Sequence, residues 1–300
     1  MVEQKTMETF IKQYAKYLSR LNPLESEDVI DLSEVEPEEY FNKATESWIN
    51  SFDEVLDSTP KEYLESVEKP KNEEETYEII RMISLNLTVM APKLLVDYLC
   101  DIEYTLPILK KILNGDVITK AYETLFNEQK EYEDFEIYRQ AVVVSSRYPE
   151  LAKELLESFI KCHDANDNIL EHITESLREL KAYDEVIEFL NGEKEIDDKH
   201  LHLLVMLAET ESKEDKIYNC LKRCFKRIKE DSIKLTAVYI FVDYGDSRIV
   251  PLLRKYAKEL VAKKQNSTNE DEGQEIKLIL YTVLSVIESF GGNIEDIKIF

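Results

Sequence analysis

Apolar residues recur at three- and four-residue steps along most of this chain, which is the signature of amphipathic helices. Phe10, Ile11, Tyr14, Tyr17, Leu18 and Leu21 predict a first helix over 6–21. Tyr40, Phe41, Trp48, Ile49, Phe52 and Leu56 predict a helix buried on one side, and Pro60 and Pro70 interrupt the stretch between it and residue 73. Ile79, Ile80, Ile83, Leu87 and Met90 form the next stripe. Pro92 suits the first turn of a helix carried by Leu94, Leu95, Tyr98 and Leu99. The helix over 106–113 stops at Asn114-Gly115, and another is expected over 117–126.

From there the pattern becomes periodic. Helical segments break and restart near Pro149, Ala182, Lys213 and Asp246, at intervals of 33, 31 and 33 residues. A fixed period in this range marks stacked helical pairs. The first helices of the pairs are 137–146, 169–180, 201–208 and 233–242; the second are 151–160, 183–190, 217–228 and 249–261. A polar stretch, 265–274, reads as a mobile loop. A last pair is expected over 276–290 and 294–300, joined by Gly291-Gly292. No alternating, β-branched segment bounded by turns appears, so no sheet is expected.

The segment 233–254 resembles a HEAT repeat. It has a small residue, Ala237, in mid-helix, a Gly245-Asp246 turn, Arg248, and Val250-Pro251-Leu252-Leu253 opening the second helix. Residues 169–190 and 277–300 are similar, although 169–190 lacks the Asp and the Pro. The resemblance spans 136–300 and implies an all-α, right-handed α-solenoid of HEAT-like helical hairpins. It also implies a function, since proteins of this kind are mostly protein-binding scaffolds, with a minority binding nucleic acid and a few acting as enzymes.

Composition agrees with a helical fold. Six Gly and eight Pro are few for 300 residues, and 43% hydrophobic residues suffice for a core. Residues 25–78 hold 19 acids against 4 lysines, so 1–72 reads as an acidic N-terminal helical cap and 73–300 as the repeat domain. The start, Met1-Val2-Glu3-Gln4-Lys5, carries no apolar region behind a basic one, and no apolar run is long enough to cross a bilayer. With four cysteines and no CxxC pair, a cytoplasmic protein with reduced thiols is expected, the nucleus being the alternative.

Candidate chemistry is sparse. Cys220 and Cys224 share a helix face but lack a second ligand pair, so no metal is expected. His163, His172, His200 and His202 are the only histidines. Neither a nucleophile elbow, a GxGxxG nor a Walker A pattern is present, so no catalytic residue and no cofactor is assigned. Glu73, Glu74 and Glu75 suit a helix N-terminus.

The charge layout carries the functional expectation. Residues 215–264 hold 13 Lys or Arg against 6 Asp or Glu, a net of +7, while the rest of the chain nets −31. Lys222, Arg223, Lys226, Arg227 and Lys229 lie on one second helix, and Arg248, Arg254, Lys255 and Lys258 on the next. Second helices of a solenoid share one surface, commonly the concave one, so these nine cations predict a strip for an anionic partner. The expected function is a non-catalytic protein-binding adaptor. The alternative is an RNA- or ribosome-associated factor using the same strip, and the third is an enzyme.

Overall fold

Thr6 starts the first helix because its hydroxyl accepts the Thr9 N–H at 3.2 Å. Met7, Phe10, Ile11, Tyr14 and Leu18 then fall on one buried face. The same logic of cap and stripe repeats through a computed structural model that describes residues 6–21, 37–87, 96, 99–115, 129–162, 168–210, 213–267 and 269–297. The described helices are α1 (Met7–Arg20), α2 (Pro37–Ile49), α3 (Pro60–Ser66), α4 (Glu73–Asn86), α5 (Ile102–Leu113), α6 (Gln129–Ser145), α7 (Ala152–Lys161), α8 (Asn168–Glu179), α9 (Tyr183–Gly192), α10 (Leu201–Ala208), α11 (Asp215–Arg227), α12 (Asp231–Tyr244), α13 (Val250–Asn266) and α14 (Glu270–Ser289). Among the described residues the only extended pairing is an isolated bridge between Asp53 and Ser58. No described helix is long and apolar enough to cross a membrane.

The chain divides into two compact units, Met1–Cys162 and His163–Phe300. In the first, α1 packs on α3 and α4, α4 on α5 and α6, and α5 on α6 and α7. The described part of the acidic stretch contributes to this core: Trp48, Leu56 and Tyr63 belong to the same apolar cluster as Ile80, Leu109 and Leu151. The unit therefore runs well past residue 72. Composition reported acidic surfaces, whereas the boundary is set by the apolar cluster beneath them. Trp48 is the hub, with its ring 5.4 Å from Phe10, 5.1 Å from Tyr14 and 5.5 Å from Tyr17. Burial raises the Tyr14 hydroxyl to about 12, and that group shares a hydrogen bond of 2.5 Å with Thr45. Tyr63 clasps the start of α1, its hydroxyl accepting from the Thr6 N–H at 2.9 Å and donating to the Thr6 carbonyl at 3.2 Å.

The helix containing Trp48 ends at Ile49 instead of running on to Leu56. Asp53 turns the chain, its carboxylate accepting the N–H groups of Val55 and Leu56 at 2.9 and 3.1 Å, which competes with helix hydrogen bonding. Phe52 is consequently 66% exposed while Leu56 is buried. Pro60 opens α3 behind a capping box of Thr59 and Glu62. Asn72 caps α4, with Glu73, Glu74 and Glu75 in its first turn. The expected helix over 117–126 and all but Leu99 of the group Leu94, Leu95, Tyr98 and Leu99 lie outside the described residues.

In the second unit, helices two apart in sequence pack together: α8 on α10, α10 on α12, α12 on α14, and α9 on α11. α10 and α12 are flanked on both sides, which is why Leu201-His202-Leu203-Leu204-Val205-Met206-Leu207-Ala208 is apolar nearly all round. The breaks include 180–182, 209–210 with 213–214, and 245–249, matching the predicted turns, as does the 146–151 break in the first unit. The stretch 265–274, in contrast, is mostly helix. α13 runs to Asn266 and α14 begins at Glu270, where the Asn269 side chain accepts the Asp271 N–H at 3.0 Å and the acids Glu270, Asp271 and Glu272 favour the first turn. A polar composition was thus a helix start. Residues 294–297 form a turn in place of the expected helix, and 298–300 lie outside the described residues.

Two glycines of the second unit should respond to alanine with opposite sign. At Gly292 a Cβ would sit 2.7 Å from both Val250 Cγ1 and Ile287 Cγ2, whereas at Gly192, in α9, nothing lies within 4 Å. Gly292→Ala is expected to destabilise by about 1–3 kcal/mol. Gly192→Ala is expected to stabilise by about 0.4–1 kcal/mol, through a less flexible unfolded chain. Urea denaturation of the two variants checks both.

Candidate partner-binding surface

Each second helix of the second unit is tied to its predecessor by side chains one period apart. Lys216 on α11 reaches Asp184 on α9 at 2.6 Å, 32 residues away. Arg248, in the turn before α13, reaches Asp215 on α11 at 2.5 Å, 33 residues away. Lys229 binds Glu195 at 2.5 Å over 34 residues. The first helices show the same device, with Arg178 on α8 bound to Glu209 after α10 at 2.7 Å over 31 residues.

These contacts absorb most of the nine cations singled out in sequence. Arg248 also holds Asp246 through two nitrogens at 2.8 and 2.6 Å and lies 4.3 Å over the Tyr218 ring. Arg254 and Lys258 converge on Asp296 at 2.5 and 2.8 Å. Lys258 and Arg254 together hold the Asp296 carboxyl at about 2, below its ordinary 3.8. Lys255 sits 3.6 Å from Glu259 on its own helix. Arg227 donates to the carbonyls of Leu190 and Glu193, both at 2.8 Å, and so caps the C-terminal end of α9. Lys222 lies over Tyr218 at 5.6 Å. Arg223 and Lys226 project from α11 as exposed side chains. Among the described residues, Lys222, Arg223 and Lys226 make no ion pair with an acid of the chain.

The strip thus resolves into two classes. Arg227, Lys229, Arg248, Arg254 and Lys258 fasten neighbouring segments and Lys255 pairs along its helix, whereas Lys222, Arg223 and Lys226 remain open to an external anion. α11 can present them because its other face is buried through Ile217, Tyr218, Cys220, Leu221, Cys224 and Phe225. The Phe225 ring meets Phe241 at 5.6 Å and Tyr256 at 5.5 Å, locking α11 to both α12 and α13. The inter-period acid partners, above all Asp184, Asp215 and Glu195, were not singled out in sequence; opposite charges spaced 31–34 residues apart are the signal that could have found them.

The residues considered for metal or catalytic chemistry are dispersed. Cys100, Cys162, Cys220 and Cys224 are buried free thiols. Cys220 and Cys224 share a hydrogen bond that raises the Cys224 thiol, with burial, and lowers the Cys220 thiol. Among the described residues no group of three or more His, Cys, Asp or Glu is placed to hold a metal ion. His200 is buried against Phe189, with Nδ1 2.6 Å from Asp197, and His163 lies outside the described residues. A cleft of about 570 Å³ in the first unit, among α4, α5 and α6, carries Glu73, Glu74 and Asp134 opposite Lys111. Burial and Asp134 raise the Tyr77 hydroxyl that lines it.

Comparison with family models, with curated proteins and with solved structures gives no match to this chain.

The two classes of cation differ in what their loss should do. Arg227→Ala strands the α9 carbonyls and is expected to cost about 1.5–3 kcal/mol, as for other hydrogen bonds to a charged group. Arg223→Ala should stay within about 0.5 kcal/mol, as expected for an exposed charge. Chemical denaturation of the two single variants tests the contrast. Asp296 gives a pH signature. Its folded value is depressed, so its contribution is complete above its ordinary 3.8 and is lost as pH falls towards about 2. Thermal scans from pH 5 to pH 2 should show a shallower acid loss in Asp296→Asn than in the unsubstituted protein.

Proposed function

We propose that this chain is a non-catalytic protein-binding scaffold that takes an anionic segment of a partner on the α11 surface. The observation that carries the reading is the trio Lys222, Arg223 and Lys226, which pair with no acid among the described residues while the rest of the strip is engaged, in a chain whose formal net charge is −24. Clustered cations add their fields at a bound anionic surface and accelerate its capture, even though each contributes little to folding. Within the second unit, packing between helices two apart and ties spaced by 31–34 residues support an array of HEAT-like hairpins, which we take to be a right-handed solenoid with the trio on its concave side. Four buried, free thiols suit a reducing compartment and hence a cytoplasmic protein.

The strongly acidic remainder of the chain disfavours an extended nucleic acid, whose continuous phosphate charge it repels, more than a short anionic protein segment that meets the α11 surface alone. The test uses two probes, a glutamate-rich peptide of about 20 residues and a single-stranded RNA of similar length, read by fluorescence anisotropy at several salt concentrations. The peptide should bind the unsubstituted protein. The triple variant Lys222→Glu, Arg223→Glu, Lys226→Glu should bind it at least about tenfold more weakly, corresponding to about 1.4 kcal/mol. Its melting temperature should stay within a few degrees. RNA binding with a steep salt dependence, or peptide binding that survives the triple reversal, overturns the reading.

A further inference from the structure

The second unit has a feature that the cationic surface does not use. Among the described residues of 163–300, the exposed large apolar side chains all lie on two helices, Tyr239 (50%) and Val242 (39%) on α12 and Leu278 (67%) and Tyr281 (47%) on α14. These helices pack directly on each other. Both have well-formed buried faces, through Val238 and Phe241 on α12 and Leu280, Val283 and Ile287 on α14, so the exposed groups are additional to a core that is already satisfied. Apolar groups gathered on neighbouring helices, away from any other exposed apolar residue of the unit, mark an interaction surface; scattered single residues do not.

The charges around it define the occupant. Every exposed charged side chain on α12 and α14 is a carboxylate: Asp243, Glu270, Asp271, Glu272, Glu275 and Glu288. The cations of these helices, Lys234 and Lys277, are half-buried and lie over the Tyr256 and Tyr281 rings at 5.0 and 5.8 Å. An apolar face whose exposed charges are carboxylates, with Lys277 folded onto Tyr281, complements a segment with an apolar stripe bordered by lysine or arginine. Two helices packed side by side suit such a segment in helical form, laid in as a third helix. We infer that the α12–α14 face is a docking surface for a basic amphipathic helix of a protein partner. It is separate from the α11 surface and of opposite charge preference.

The experiment uses the full chain and labelled helical peptides of about 18 residues. One has a leucine stripe flanked by lysines, a second has serines in place of the leucines at the same charge, and a third pairs the leucine stripe with glutamates. The leucine–lysine peptide should bind at least tenfold more tightly than either of the others. The double variant Tyr239→Ser, Leu278→Ser should lose at least tenfold, and so should Glu275→Lys, Glu288→Lys, which keeps the apolar groups. The reversal of Lys222, Arg223 and Lys226 to Glu should leave binding no weaker, so the outcome is independent of the α11 reading. Equal binding of the serine–lysine peptide would reduce the effect to bulk charge and overturn the proposal. So would unchanged affinity in both double variants. Sedimentation velocity completes the test: a concentration-dependent dimer abolished by Tyr239→Ser, Leu278→Ser would assign the face to a second copy of this chain and overturn the proposal as well.

Discussion

A helical hairpin of about thirty residues cannot bury its apolar stripe alone. In the second unit that constraint is met by packing α8 on α10, α9 on α11, α10 on α12 and α12 on α14, with α13 laid against α14. The arrangement requires the hairpins to hold a common register. Lys216 with Asp184, Arg248 with Asp215 and Lys229 with Glu195 supply polar contacts at that register, each crossing one period. Exposed ion pairs add little to stability singly, so their value here is positional. The apolar faces provide the driving force, and the pairs fix where along the row each helix stops.

This division explains why a basic strip in sequence is not a basic strip in space. A cation one period from a carboxylate is neutralised by the fold, as Arg248 is, or is turned inward to a helix end, as Arg227 is. What remains available is set by helix phase. Arg223 and Lys226 sit across α11 from Ile217 and Leu221, so burying that apolar stripe obliges the cations to face out. The buried apolar stripe of α11 thereby orients its charged face.

Helix positions in the second unit were legible in the sequence because the apolar spacing and the turns at Lys181-Ala182 and Gly245-Asp246 agree, the latter with Gly245 in the left-handed region at φ +70°. Errors arose where local polar chemistry competes with helix formation or imitates its absence. Asp53 ended a helix that the spacing of Phe52 and Leu56 would have continued. The acids after Asn269 looked like a loop but begin α14. The candidate surface was legible as a set of residues but not as a division between paired and open cations, because pairing depends on partners 31–42 residues away. The apolar face of α12 and α14 was hidden for a related reason: a tyrosine or leucine at helical spacing looks the same whether a neighbour covers it or not.

The clasp of Tyr63 on Thr6 bears on the order in which the chain is made. The first helix emerges from the ribosome well before the residue that secures its start, 57 positions later, and before α4, on which it packs. Phe10, Ile11 and Tyr14 must then wait, apolar and uncovered, through several seconds of synthesis at about 5–20 residues per second. Trp48 reaches Phe10 and Tyr14 about as soon as the hairpins of the second unit find their partners, but the clasp on Thr6 and the α4 face come later still. Premature exposure during synthesis therefore bears more heavily on α1 than on the hairpins of the second unit.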